Sequence, residues 1–136
     1  MLWMGLALWL GLALSGVASA QVPVQLPDEP TWRWLRTQYS NDMVLTVDDP
    51  DRYTIVFRED ATVAIRADCN RVRGTYERSG SSLTLVLGAM TRAACPPDSQ
   101  ADIYLRDLSN VATYVMDGEH LVLNLRIDSG NMVFAP

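Results

Sequence analysis

The feature that most constrains this chain is a pair of cysteines, Cys69 and Cys95, 26 positions apart. The first stands in Asp68-Cys69-Asn70-Arg71-Val72-Arg73-Gly74-Thr75-Tyr76. The second closes Met90-Thr91-Arg92-Ala93-Ala94-Cys95-Pro96-Pro97. Together these runs hold the chain's most organised polar cluster: Asp68, Asn70, Gly74, Thr91 and Arg92. What two cysteines do depends on the compartment in which the chain folds.

The N-terminus answers that question. Residues 1–20 read as a signal peptide: Leu2 to Leu14 is almost wholly apolar, no charge precedes Asp28, and Ala18-Ser19-Ala20 has the small residues of a cleavage site. The apolar run is shorter than the roughly 20 residues a spanning helix needs. The n-region carries no Lys or Arg, and an uncleaved N-terminal anchor is the alternative reading. With no cysteine near the cut, a lipid-modified N-terminus is disfavoured. The expectation is export to the periplasm or beyond after cleavage near Ala20, leaving no transmembrane segment. In an oxidising compartment two cysteines most simply form one disulfide. Closing a loop of this size is worth about 3.5 kcal/mol in the chain-entropy model.

The 136 residues suffice for one domain, and the formal net charge is −5. All 11 basic residues are arginine, and they are scattered. An acidic chain without a basic face argues against nucleic acid as a partner and against simple adhesion to anionic lipid.

Residues 21–30, with Pro23, Pro27 and Pro30, read as an extended leader, and residues 31–136 as the domain. Trp32 and Trp34 alternate with Arg33 and Leu35, as on a strand with one buried face. Met43–Val47 is a short β-rich run, and Tyr53–Ile65 reads as a hairpin turning at Glu59-Asp60. A further hairpin joins a strand starting at Arg73 to Leu83–Leu87 across Ser79-Gly80-Ser81-Ser82. Helical spacing occurs once: Ala101, Tyr104, Leu105 and Leu108 form an apolar stripe, predicting a helix over about 99–110 with Ser99 as cap. Val111–Met116, Leu121–Leu125 and Met132–Phe134 follow as strands, the first turning at Asp117-Gly118. This order predicts an α+β fold: mainly antiparallel sheet, curled into a partly closed barrel, with one α-helix.

These residues resemble the META domain family, the HslJ-like proteins. The matching features are Trp34-Leu35, Phe57 before an acidic turn, Asp68-Cys69-Asn70 with Gly74-Thr75-Tyr76, and Thr91-Arg92-Ala93-Ala94-Cys95-Pro96. The helix residues Tyr104, Leu105 and Leu108 and the ending Gly130-Asn131-Met132-Val133-Phe134 complete the set. The resemblance spans about Thr31 to Phe134. Many members carry Gly before the first Cys-Asn, so this chain is an Asp-Cys-Asn variant. The resemblance implies a compact β-rich domain in an exported or membrane-anchored bacterial protein, loosely associated with stress tolerance, motility and antibiotic resistance. It also implies a likeness to lipid-binding pilotin proteins. It brings no catalytic residues.

The special residues then receive these readings. Cys69 and Cys95 form a structural staple. The alternative, a nucleophilic or redox thiol, needs a base or cation, and the only histidine is His120. A structural zinc site needs four ligands, which these residues do not supply, and no cofactor is expected. Asn70 is read as fixing the bend after Cys69, and Gly74 as allowing a bulge or close backbone approach. Asp68 and Arg92 are expected to form a structural ion pair beside the disulfide, with an anion contact by Arg92 as the alternative. The 16 acidic residues lie mostly in turns, as solvated carboxylates do, and Asp48-Asp49-Pro50-Asp51 lacks the ligand spacing of a calcium loop. No phosphate loop, serine elbow or His-Asp constellation is present. The chain therefore reads as a non-enzymatic exported protein, a cell-envelope stress-related binding or interaction module whose partner is an envelope protein or a small apolar ligand. One alternative is a carrier of lipid or another small apolar ligand in a barrel cavity, lined by some of the aromatic residues. The other is a thiol-dependent envelope enzyme.

Overall fold

A computed structural model describes Gly11 and residues 31–136 of the chain. The signal peptide over 1–20 and the leader over 21–30 lie outside the described residues.

The elements follow the hydrophobic alternation. Strands β1 (Trp32–Tyr39), β2 (Val44–Thr46), β3 (Tyr53–Phe57) and β4 (Thr62–Ala67) come first, with a 3-10 turn over Pro50–Arg52 before β3. Next are β5 (Asn70–Ser79), β6 (Ser82–Met90), the helix α1 (Ala101–Leu108), β7 (Val111–Asp117), β8 (His120–Leu125) and β9 (Gly130–Ala135). On β3, Tyr53, Ile55 and Phe57 are buried while Thr54 and Val56 between them are not. On β4, Val63, Ile65 and Ala67 are buried. Period-two burial is what a strand with one core face requires.

All pairings are antiparallel, and the ladder runs β2-β1-β3-β4-β5-β6-β7-β8-β9. The additional pairing of β1 with β9, from Arg33↔Ala135 to Tyr39↔Gly130, bends this ladder into a ring. The ring is uneven: β6 and β7 share only Ser82↔Thr113. The fold is thus α+β, a partly closed antiparallel barrel with one helix.

The helix supplies the core's centre. Tyr104 is fully buried and stacks on Trp34 with ring centroids 5.0 Å apart. Tyr53 meets both rings edge-on, each at 5.7 Å. Such offset and edge-to-face pairs add about 0.5–1.5 kcal/mol each beyond area burial.

Several expected boundaries move. The helix is shorter than 99–110, because Gln100 occupies the cap position and Ser99 instead accepts from the Ala101 N–H two residues on. Val111 and Ala112 continue the apolar spacing but belong to β7, where Val111 pairs with Leu125. The β7–β8 turn is Gly118-Glu119, closed by Asp117↔His120, because Gly118 takes the left-handed conformation at φ 58°. Strand β5 starts at Asn70 rather than Arg73, since Ala67↔Asn70 already continues the ladder.

Candidate functional site

The turn between β4 and β5 is Asp68-Cys69, two residues closed by Ala67↔Asn70. Asp68 has φ 58°, a left-handed conformation that Asp tolerates better than most residues. The bend is therefore set by Asp68, and Asn70, expected to fix it, is the first strand residue beyond it.

Asp68 is buried, and its partner is Arg52, in place of the expected Arg92. The Arg52 Nε and Nη2 each donate to one carboxylate oxygen of Asp68, both at 2.7 Å. The register explains the choice. Tyr53↔Ala67 and Ile55↔Ile65 align β3 with β4, so the residue before β3 faces the residue after β4. The backbone repeats the contact, with the Asp68 N–H donating to the Arg52 carbonyl at 2.7 Å. Arg52 holds the Asp68 carboxyl below the usual carboxylate range, opposed by burial and aided by Ser99. Arg52 also approaches Asp98 at 3.5 Å and lies over the Tyr53 ring. Arg92 is exposed and forms no ion pair among the described residues.

Cys69 and Cys95 are joined by a disulfide, with Cα atoms 5.5 Å apart. Asn70 grips the same segment beside the bond. Its Oδ1 accepts from the Ala93 N–H at 2.8 Å and from the Thr91 hydroxyl at 3.2 Å, while its Nδ2 donates to the Ala93 carbonyl at 3.1 Å. Thr91 in turn accepts from the Arg71 N–H at 2.9 Å. The run from Thr91 to Gln100 has no regular secondary structure, so its backbone groups need such side-chain partners. At its far end Gln100 donates its N–H to the Tyr53 hydroxyl at 2.8 Å, and its Nδ-equivalent amide nitrogen, Nε2, donates to the Thr46 carbonyl at 3.2 Å. The disulfide, Asn70 and Gln100 tie the connection between β6 and α1 to the ends of β2, β3 and β5.

Gly74 sits where the β5–β6 register shifts, between Val72 and Gly74. A Cβ there would lie 2.4 Å from the Val86 carbonyl oxygen, so only glycine admits this approach. Of the polar cluster read from the sequence, Asp68, Asn70 and Thr91 converge on the stapled turn. Gly74 serves the neighbouring bulge, and Arg92 is exposed and in no ion pair among the described residues.

A second polar cluster was not read from the sequence. Asp107, buried on α1, accepts from the Tyr39 hydroxyl at 2.5 Å and from Arg106 Nε and Nη2 at 3.1 and 3.0 Å. Burial, and then the hydrogen bond to Asp107, push the Tyr39 hydroxyl up to about 12. The cluster pins the helix to the end of β1. An Asp inside the amphipathic stripe was the available signal, since a carboxylate on a buried face needs a partner.

His120 is exposed at the start of β8. Among the described residues no cysteine is free, no group of three His, Cys, Asp or Glu could hold a metal ion, and no helix is long and apolar enough to cross a membrane.

Two solved structures share the fold. A DUF4847 family protein from Bacteroides vulgatus superposes with a TM-score of 0.59 at 15% identity, over 79% of this chain and 92% of that one. A protein from Burkholderia xenovorans solved by NMR superposes with a TM-score of 0.60 at 21% identity, over 79% of this chain and 81% of that one. No curated protein matches the chain. The META domain model matches residues 31–135. With the stapled turn and the barrel in place, that match makes the chain a member of the META domain family.

Proposed function

We propose that this META-domain protein is a non-enzymatic module of the cell envelope, exported after cleavage near Ala20, which works by presenting a rigid outer surface to a partner. One observation carries the reading: the residues that looked most chemical are spent on structure. Both sulfurs are in the disulfide, Asp68 is neutralised by Arg52, and Asn70 is saturated by Thr91 and Ala93. A nucleophilic thiol needs a free sulfur with a base or cation beside it; here both sulfurs are joined, and the guanidinium at the turn, Arg52, is paired with Asp68. A carrier of lipid in the barrel draws no support from the core, where Trp34, Tyr53, Tyr104 and Phe134 fill the centre. A partner is then met on the outer face. A role in envelope stress belongs to the same proposal and rests on family membership alone.

The test uses cells expressing the full chain with a C-terminal tag. The reading requires a product that begins at Gln21 in the exported fraction and shows no titratable thiol without reductant. A reactive thiol in the native protein, or retention of the uncleaved chain in the cytoplasm, overturns it.

A further inference from the structure

The arginines are scattered along the sequence, but the fold brings three of them to one groove. The outer faces of β3, β4 and β5 form a groove of about 580 Å³ lined by Arg58, Arg71 and Arg73 together with Thr54, Thr62 and Val56. The polar groups among these are chiefly hydrogen-bond donors, with Val56 and Ala64 as apolar neighbours. Asp60 also borders the groove, but its carboxylate accepts from the Thr62 N–H and hydroxyl.

Arg71 and Arg73 are exposed and in no ion pair among the described residues, although the chain has 16 acidic residues to 11 arginines. Arg71 also stands directly across the β4–β5 ladder from Arg66. Like charges directly opposed in a sheet are destabilising. Arg66 is turned to the Asp68 carbonyl, to which its Nε donates at 3.1 Å, while Arg71 is left for an anion in the groove. Arginine's planar fork suits carboxylates in particular. Arg71 and Arg73 are two positions apart on one strand, a spacing of about 6.6 Å. Acidic side chains at alternate positions of an extended peptide have the same repeat.

We propose that this groove binds an extended acidic peptide segment of a partner protein, with Arg71 and Arg73 each holding a carboxylate and Arg58 extending the site. The proposal rests on the interaction-module reading and names the partner's chemistry. Binding of this kind weakens with salt, because the groove is open to solvent.

The experiment uses isotope-labelled protein expressed from the full chain. It is titrated at about 50 mM salt with a ten-residue peptide alternating aspartate with serine, its asparagine counterpart, and inorganic tripolyphosphate. Expected are amide shifts confined to residues 54–58, 62–66 and 71–74 with the aspartate peptide, and none with the asparagine peptide. Arg71→Gln with Arg73→Gln should weaken binding roughly tenfold or more, as loss of two charge-assisted contacts implies. Arg36→Gln with Arg126→Gln, which changes net charge equally, should leave the localised shifts in place. Arg71→Lys with Arg73→Lys keeps the charge and loses the fork, and should fall between. Equal binding of the asparagine peptide, equal loss in the control pair, or tripolyphosphate binding without peptide binding overturns the assignment. A protein that ignores the peptide yet has no titratable thiol loses the groove alone. One with a reactive thiol loses the broader reading as well.

Discussion

At Asp68 two requirements meet in one side chain: a left-handed backbone and a buried counter-charge for Arg52. Asp68→Asn keeps the first and removes the second, and should cost about 2 kcal/mol in urea unfolding, the scale of hydrogen bonds to a charged group. The pH dependence follows in sign. A carboxyl whose folded value is depressed stabilises the protein above the ordinary carboxylate range, and that stability is lost as pH falls through the folded value. Melting temperature in wild type should therefore fall below about pH 5 more steeply than in Asp68→Asn. An identical slope in both would remove Asp68 from the acid limb. Ile127 is the opposite case. It is 97% exposed with φ 52°, a conformation that a β-branched residue adopts at a penalty. Ile127→Gly should raise stability by about 1 kcal/mol in the same assay.

Among the elements, the connection from β6 to α1 depends most on side chains, because it has no ladder of its own. Cys69→Ser and Cys95→Ser should each cost about 3.5 kcal/mol, and the double variant little more, because one bond is lost in every case. Additive losses would contradict the pairing. Asn70 and the disulfide hold the same segment, so Asn70→Ala should cost a different amount in the reduced protein than in the oxidised one. A coupling above about 0.5 kcal/mol in that double-mutant cycle is the expected outcome. Gly74→Ala drives a methyl into the Val86 carbonyl and should cost about 1–3 kcal/mol in thermal unfolding. The hairpins were legible in advance because alternation and turn residues are local. The register Ile55↔Ile65, which the turn at Glu59-Asp60 did not by itself specify, is what sets Arg52 opposite Asp68. Arg92 looked the better partner only because it lies near a cysteine in sequence.

For the whole molecule, closure of β1 on β9 makes a barrel of what would otherwise be an open ladder. The weak place is the β6–β7 seam, joined at Ser82↔Thr113 and by the Tyr114 N–H donating to the Ser81 carbonyl. Amide exchange at those two positions should be faster than in the β1–β9 ladder, since a short seam opens locally before the whole barrel does. Equal protection at both places would show the ring to be evenly closed.

Local periodicity determined a good deal by itself. Alternating burial along β3 and β4, the apolar stripe of α1 and the turn residues between strands follow from backbone geometry, which repeats every few residues whatever the rest of the chain does. Tertiary structure decided which distant groups meet: Arg52 with Asp68, Asn70 with Ala93, Tyr39 with Asp107, and three arginines around one groove. Those meetings depend on strand register and on the closing of the ring, and a shift of one residue would turn the strand residues among them, Tyr39, Asn70, Arg71 and Arg73, to the other face of the sheet.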